Sequence, residues 1–288
     1  MDYEGQICRS PMERGSFMLP VSVGCSYGKC KFCTLFRHLH YRTLPLAQIE
    51  QELRRVQQLG GSPKQVFLGD GNAFALPFEQ LIAILERIHH YFPDCERVNM
   101  DATVASIAQK SDEELQLLRR AGVHCLYLGI ETGLDDVLRF MNKRHTVSEA
   151  LRQIERLHRA GCAYSAHIMT GVAGTGRGLE SAEATAAFFN DTAPESITNF
   201  SLFLCRRAPL HQDILSGAFH PASETENLEE ARHLLQLLRC STRYEGFHDM
   251  LSLRVHGALP KDRAAMLQRL TQALLQQEKA PPLYAFVE

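Results

Sequence analysis

The amino-acid sequence predicts an α/β fold of the partial (β/α)6 TIM-like barrel class, followed by a small helical C-terminal extension. Strand-like and helix-like segments alternate along the chain. Residues 66–68 and 126–128 are apolar throughout, which is typical of parallel strands covered on both faces. An eight-fold barrel takes about 250 residues, or about 31 for each βα unit, so six units need about 190 residues. The alternating region, residues 17–205, has close to that length.

The elements of this barrel follow from hydrophobic patterns and from helix start and stop signals. A capping box begins at Ser111, and Gly60, Gly122 and Gly161 close helices. We predict strands at residues 17–24, 65–69, 97–101, 124–130, 163–170 and 197–204, and helices at residues 45–60, 76–91, 111–122, 146–161 and 179–191. The predicted domains are an N-terminal extension (1–16), the barrel (17–206) and a C-terminal helical extension (207–288) with helices near residues 227–244 and 261–277.

The composition is that of an ordinary globular protein. The chain has 288 residues, 45% of them hydrophobic and 22% charged, and its formal net charge is −2. The chain has no overall positive charge, so its composition does not predict nucleic-acid binding. No apolar run approaches the length of a membrane span, and the first residues do not form a signal peptide. Nine cysteines without an export signal indicate reduced thiols. We therefore expect a cytoplasmic protein that has no membrane partner.

Three cysteines lie in one loop directly after the first predicted strand. Cys25, Cys30 and Cys33 are spaced C-x4-C-x2-C. Thiolates select zinc, copper(I) or iron–sulfur clusters. A structural zinc site takes four protein ligands, but there is no second cysteine pair, and His38 and His40 complete no common zinc-finger spacing. Three thiolates would leave one iron of a 4Fe–4S cluster open to another ligand. The spacing favours iron–sulfur and leaves zinc, or buried cysteines without a metal, as alternatives.

Polar or flexible residues follow each of the predicted strands. Because chemistry in barrels gathers at the carboxyl ends of strands, these residues are candidates for a binding site. Beyond the cysteines they include Gly69, Asp70, Gly71, Asp101, Glu131 and Gly171.

Each of these candidates also has a structural interpretation. The turn around Asp70 would let a ligand approach the backbone closely, or would simply be a tight βα turn that the aspartate caps. Glu131 would accept hydrogen bonds from ribose hydroxyls or an ammonium group, or would cap a helix. Asp101 is the weaker candidate. The glycine-rich loop at residues 170–178 matches no phosphate-binding motif, so we interpret it as a turn beside a nucleoside.

Taken in order, these motifs resemble the radical S-adenosylmethionine (SAM) superfamily. The cysteine loop, residues 24–33, carries the aromatic Phe32 typical of that family, although the usual spacing is C-x3-C-x2-C and one residue is extra here. Further similarity lies at residues 66–71, 126–133, 141–143, 171–174 and 257–262. The resemblance covers almost the whole chain and is to a branch related to the methylthiotransferase and Elongator-type catalytic domains.

The resemblance implies roles for the candidate residues. Cys25, Cys30 and Cys33 would hold a 4Fe–4S cluster whose fourth iron takes the amino and carboxylate groups of S-adenosyl-L-methionine. The residues that would bind this cofactor are Phe32, Gly69, Asp70, Gly71, Asp101, Glu131 and Gly171. Phe32 would lie near the adenine, the Asp70 turn would meet the methionine amine, Glu131 would contact the ribose or methionine part, and Gly171 would flank the adenine. One electron would cleave SAM to a 5′-deoxyadenosyl radical, which abstracts hydrogen from a substrate.

The resemblance leaves the substrate and two other functions open. We expect an unknown small-molecule substrate, an electron donor such as flavodoxin or ferredoxin, and no nucleic acid. One alternative is a non-enzymatic zinc or iron–sulfur barrel with a structural or sensing role. Against it, a structural metal site has no use for a nucleoside pocket at the neighbouring strand ends. The other alternative is an RNA-modifying radical SAM enzyme.

Overall fold

This computed structural model describes residue 4, residues 8–277 and residues 280–287. Within them the α-helices, α1 to α10 in chain order, are Leu46–Gln58, Phe78–Tyr91, Val104–Ala108, Asp112–Arg120, Asp135–Phe140, Val147–Arg159, Gly178–Thr192, Leu210–Leu215, Glu224–Leu237 and Arg263–Gln277. The strands, β1 to β12, are Phe17–Pro20, Ser22–Val23, Arg42–Thr43, Gln65–Gly69, Arg97–Ala102, Val123–Glu131, Ala163–Thr170, Ser196–Ser201, Leu204–Cys205, Thr242–His248, Leu253–Leu259 and Phe286–Val287.

Eight of these strands form one sheet, in the order β1-β4-β5-β6-β7-β8-β10-β11. The pairs β1–β4, β4–β5, β5–β6, β7–β8 and β8–β10 are parallel, and β11 runs antiparallel to β10. The six strands from β1 to β8 in this sheet correspond to the six predicted ones, and helices separate them along the chain. The predicted α/β class is therefore confirmed.

The C-terminal part differs from the helical extension that the sequence predicts. The helix predicted near residues 227–244 ends at Leu237, and β10 and β11 follow it as a hairpin that extends the sheet. In residues 253–259, Leu253, Val255 and Leu259 alternate with more exposed positions, and Val255 and Leu259 are buried. This period of two is the signal of a strand. The prediction of helices alone was wrong for this segment.

The chain divides into two compact units. The first contains the described residues up to Gly28, with Leu35–Leu128 and Gln153–Tyr164. The second contains Lys29–Thr34, Gly129–Arg152 and the described residues from Ser165 onward. The division runs through the cysteine loop, so that Cys25 belongs to the first unit and the other two cysteines belong to the second. The predicted domain boundaries at residues 16 and 206 stay a prediction.

In the first unit, α1 and α2 pack against each other through apolar side chains. Ile49 and Leu53 of α1, and Leu81, Ile84 and Leu85 of α2, are completely buried. Their spacing of three and four residues places them on one face of each helix. Burying each such side chain contributes about 1.5–3 kcal/mol. Packing of these faces, more than intrinsic propensity, therefore stabilises the two helices.

In the second unit, α7 and α9 pack against each other, and an apolar cluster surrounds the segment after β7. The buried members of this cluster are Val137, Met141, Val172, Leu202, Leu204, Leu210 and Phe219. The buried face of α9 is different, because it also carries Glu224, Asn227 and Glu230. Buried polar groups need hydrogen-bond partners, so this face must meet polar groups of its own unit.

Candidate functional site

Cys25 follows β2 in the first unit, and the turn after β4 lies directly against it. A Cβ atom added to Gly71 would lie 2.8 Å from Cβ of Cys25 and 2.7 Å from Cε2 of Phe36. Any side chain at residue 71 would therefore displace one of these neighbours. Burial raises the pKa of the Tyr41 hydroxyl, and the negative charge of Cys25 raises it further. Cys25 and the Gly69–Gly71 turn therefore lie close together within this unit.

Asp70 presents a buried carboxyl group at the end of β4. Its side chain is 7% exposed, and its Oδ1 atom has no hydrogen-bond partner. Burial raises the pKa of Asp70 to about 6, against the stabilising effect of the backbone N–H groups of Gly24, Gly71 and Cys8. A buried acceptor without a donor is unfavourable unless a ligand supplies one. The oxygen is suited to an ammonium group.

Asp101 and Glu13 lie near Asp70 in the same unit. Burial raises the pKa of Asp101 to about 7, and the negative charges of Asp70 and Glu13 add to this effect. Glu13 is buried and accepts hydrogen bonds from Nδ2 of Asn99 (2.7 Å) and from the hydroxyl of Tyr127 (2.7 Å). The first unit therefore gathers three carboxyl groups, and two of them are held partly protonated near neutral pH.

The Cys30–Cys33 half of the cysteine loop is held from two sides within the second unit. The Lys31 N–H donates to the carbonyl oxygen of Met141 (3.1 Å), and Nδ2 of Asn142 donates to the carbonyl oxygen of Lys29 (2.9 Å). The Lys31 ammonium group pairs with Asp213 at 3.0 Å and lies 4.0 Å from the centre of the Phe140 ring. These contacts fix the backbone on both sides of Cys30.

Glu131, the last residue of β6, forms a buried ion pair with Lys143. Nζ of Lys143 lies 2.8 Å from Oε1 of Glu131, and the two side chains are 11% and 9% exposed. Glu131 has a φ angle of +66°, which is uncommon for a residue with a side chain. A Cβ atom on Gly129 would lie 2.4 Å from Oε1 of Glu131 and 2.9 Å from Nζ of Lys143. Gly129 therefore leaves the space that the ion pair occupies.

Lys143 also connects the ion pair to the cysteine loop. Its Nζ atom lies 6.0 Å from the centre of the Phe32 ring. Burial disfavours the charge on Lys143, but neighbouring negative charge outweighs this effect and raises the pKa of the lysine. The groups that supply this negative charge are Glu131, Cys30 and Cys33. Lys143 is thus a cation beside Cys30 and Cys33, the two loop cysteines of this unit.

Gly171 follows β7 in the second unit, as predicted. Its N–H donates to Oε2 of Glu230 at 2.7 Å. Its φ angle of +81° lies in the left-handed region that glycine tolerates. The Gly171 and Gly176 N–H groups bind protein carboxylates, so they are not available to a phosphate group. The interpretation of this loop as a turn beside a nucleoside stays a prediction.

The structure thus places the predicted residues in two sets. Cys25, Gly69, Asp70, Gly71 and Asp101 lie in the first unit, and Cys30, Phe32, Cys33, Glu131 and Gly171 lie in the second.

Two further residues of these units were not predicted from the sequence. Glu13 was assigned to an N-terminal extension, although its partners lie 86 and 114 positions away. Lys143 belongs to the segment 141–143, which the resemblance marked without giving it a role.

Thiolates are the ligands that hold iron–sulfur clusters, and the cysteine loop carries three cysteines. None of the nine cysteines, all of which are described, forms a disulfide. Among the described residues, no group of three or more His, Cys, Asp or Glu side chains has the arrangement of a metal site. Within the second unit, Cys30 and Cys33 are partly exposed and lie beside the cation of Lys143, an environment that suits thiolate ligation.

A family model and several known proteins are similar to this chain. The model described as the Radical SAM superfamily matches residues 19–189, which is more than half of the chain. The heme chaperone HemW of Bacillus subtilis (strain 168) is 26% identical over 206 residues, covering 68% of this chain and 53% of that protein. A tRNA uridine(34) acetyltransferase of Methanocaldococcus infernus is 19% identical over 244 residues, covering 71% of this chain and 46% of that protein. The chain therefore spans about half the length of these relatives.

Solved structures show the same fold. The coproporphyrinogen III oxidase HemN of Escherichia coli, a radical SAM enzyme, superimposes with a TM-score of 0.58 at 17% sequence identity, over 77% of this chain and 50% of that chain. This likeness bears on fold alone, and it agrees with the predicted partial TIM-like barrel. In the described part of the chain, none of the helices combines the length and apolar character that crossing a membrane requires. The cellular location stays a prediction.

Proposed function

The chain belongs to the radical SAM superfamily, and on that premise we propose that Cys25, Cys30 and Cys33 hold a 4Fe–4S cluster at which SAM is cleaved to act on a small-molecule substrate. Enzymes of this superfamily use a 4Fe–4S cluster and SAM, and they need an electron donor. For this chain we propose flavodoxin or ferredoxin as the donor. The observation that carries the proposal is the three-cysteine loop inside the matched segment.

Within the first unit, Asp70 is the residue proposed to receive the amino group of SAM. Its Oδ1 atom is buried without a donor, and an ammonium group would supply both the hydrogen bond and the opposite charge. Asp101, whose pKa is raised by burial and further by the charges of Asp70 and Glu13, would be favoured in its ionised form by the same cation. Gly71 leaves the space in which Cys25 and the Asp70 turn approach each other.

Within the second unit, Glu131 is proposed to accept hydrogen bonds from the ribose or the methionine part of SAM. Lys143 holds one carboxylate oxygen of Glu131, so that the other oxygen remains available in a fixed direction. The same lysine favours the thiolate forms of Cys30 and Cys33, which are the forms that bind iron. Phe32 and the Gly171 loop would flank the adenine. When bound, the cluster supplies the electron that cleaves SAM to methionine and a 5′-deoxyadenosyl radical.

The test is anaerobic reconstitution with iron and sulfide, followed by dithionite reduction and assay of 5′-deoxyadenosine. Wild type should bind about four irons per chain and form 5′-deoxyadenosine, whereas Cys30→Ala should do neither. Cys240→Ala is the matched control, because Cys240 lies outside the matched segment and should leave both readouts unchanged. Stoichiometric zinc without iron uptake, and no 5′-deoxyadenosine from wild type, would refute the proposal and favour a structural metal site.

A second candidate is an RNA-modifying enzyme of the same superfamily. The observation that favours it is the similarity to a relative named as a tRNA acetyltransferase, which leaves the expectation of no nucleic-acid partner open. The two candidates separate in the same assay. Transfer RNA that binds at physiological salt and raises the consumption of SAM would support the second candidate, and no effect of RNA would support a small-molecule substrate.

A further inference from the structure

The glycine-rich loop after β7 is bound by one neighbouring segment of the chain. Residues 170–178 contain four glycines, and Gly171, Gly174 and Gly176 have positive φ angles. The Gly176 N–H donates to Oε1 of Glu226 (2.8 Å), and the Thr175 N–H donates to the carbonyl oxygen of His220 (2.8 Å). Together with the bond from Gly171 to Glu230, three N–H groups of the loop are satisfied from residues 220–230.

Two of these acceptors lie on α9, one helical turn apart. Glu226 and Glu230 are four residues apart, so their side chains project from the same side of the helix. Asn227 lies between them in sequence and packs against the start of the loop. A Cβ atom added to Gly171 would lie 2.3 Å from Oδ1 of Asn227. The loop therefore matches this face of α9 in shape as well as in hydrogen bonding.

The two oxygens of Glu226 have separate partners. Oε1 accepts from the hydroxyl of Thr175 (2.8 Å) as well as from the N–H of Gly176. Oε2 accepts from the N–H of Ser223 (2.8 Å), which is half of the capping box that begins α9. A substitution of Glu226 therefore alters both the loop contact and the cap, whereas a substitution of the Ser223 side chain alters the cap alone.

We propose that α9 is the positioning element for the loop that receives the adenosine part of SAM, and that Glu226 and Glu230 are its positioning residues. The inference rests on the proposed function, in which this loop flanks the adenine. A segment with four glycines has a large conformational freedom to lose when it orders around a ligand. Because the carboxylates of α9 already hold the loop in one conformation, the nucleoside meets a preorganised surface. The C-terminal part of the chain thus acts on SAM binding through the loop.

The experiment compares Glu226→Ala with Ser223→Ala in the reconstituted protein. Glu226→Ala removes both the contact with the loop and the carboxylate part of the cap. Ser223→Ala removes only the hydroxyl part of the cap. Three quantities are measured: irons per chain, the dissociation constant of SAM by equilibrium dialysis, and amide hydrogen exchange of residues 171–177 without SAM. We expect Glu226→Ala to weaken SAM binding about tenfold and to speed exchange in the loop, with iron content unchanged. Ser223→Ala should change SAM binding less than about twofold.

Two further variants keep the test decisive. Glu226→Gln retains an oxygen acceptor and should recover most of the affinity, because its shape is preserved. Thr175→Val removes a donor from the loop side without altering α9, and should weaken SAM binding in the same direction by a smaller factor.

Unchanged SAM affinity in Glu226→Ala despite faster exchange of the loop would overturn the inference. So would an equal loss of affinity in Ser223→Ala, because the effect would then belong to the helix cap. Both results leave the proposed function intact, since wild type would still bind iron and SAM. A wild type that holds about four irons and binds no SAM would instead overturn the proposed function, and this inference with it.

Discussion

Replacing Asp101 with asparagine should stabilise the protein against unfolding, by an amount that grows as pH rises. Burial raises the pKa of Asp101 to about 7 from an ordinary value of 3.8, and the charges of Asp70 and Glu13 contribute. The folded state therefore holds the proton of Asp101 more tightly than the unfolded state does. Its contribution to stability is fully present below pH 3.8 and is lost as pH rises through about 7.

The magnitude follows from the difference between the two pKa values. A shift from 3.8 to about 7 spans about three pH units, and each unit corresponds to about 1.36 kcal/mol, which gives about 4 kcal/mol between pH 4 and pH 8. Asparagine has nearly the same shape as protonated aspartic acid and stays uncharged over this range. The unfolding free energy of Asp101→Asn, relative to wild type, should therefore rise by up to about 4 kcal/mol across this interval.

The assay is urea unfolding of the metal-free protein under reducing conditions, followed by circular dichroism at several pH values from 4 to 8. Asp191→Asn is the control, because Asp191 is an exposed aspartate on α7 and its replacement should leave the pH profile parallel to that of wild type. The urea dependence of the free energy should be the same in all three proteins, so that the midpoints report stability. Parallel profiles for Asp101→Asn and wild type would show that Asp101 ionises in the folded state at no cost, and would refute the reasoning.

Two further substitutions test other parts of the site. Gly129→Ala places a methyl group 2.4 Å from Oε1 of Glu131 and should lower the rate of 5′-deoxyadenosine formation about tenfold or more. Gly15→Ala is the control, because an added Cβ atom there has no neighbour within 4 Å and should leave the rate unchanged. Equal rates in the two variants would contradict the inference that the ion pair needs the space beside Gly129. Tyr127→Phe removes one donor to the buried carboxylate of Glu13 and should lower the unfolding free energy by about 1.5–3 kcal/mol in urea titrations, and an unchanged midpoint would count against that hydrogen bond.

Local patterns were sufficient to predict the elements that carry the site. β4 and β7 have the predicted bounds, Gln65–Gly69 and Ala163–Thr170, and each ends at a glycine or directly before one. The spacing of the cysteines predicted the loop directly, because three thiols within nine residues must share one small region whatever the rest of the chain does.

Contacts between distant residues were beyond the same patterns. The hydrogen bonds of Glu13 to Asn99 and Tyr127 depend on the tertiary fold, and nothing in residues 11–13 indicates them. The pairing of Glu131 with Lys143 crosses 12 positions and the whole of α5, a spacing that no helical or strand period predicts. The hairpin β10–β11 is a different case, since its alternation is visible in the sequence and was assigned in part to the preceding helix.

Three glycines of the site are explained by the side chain that each one faces. An added Cβ atom would lie 2.8 Å from Cβ of Cys25 at Gly71, 2.4 Å from Oε1 of Glu131 at Gly129 and 2.3 Å from Oδ1 of Asn227 at Gly171. Gly171 also has a positive φ angle, but Gly71 and Gly129 lie outside the left-handed region. For these two, therefore, glycine is required for space and not for conformation. The interpretation of the Gly69–Gly71 turn as an ordinary βα turn does not account for this, because such a turn would tolerate a small side chain at residue 71. The close approach to Cys25 does account for it.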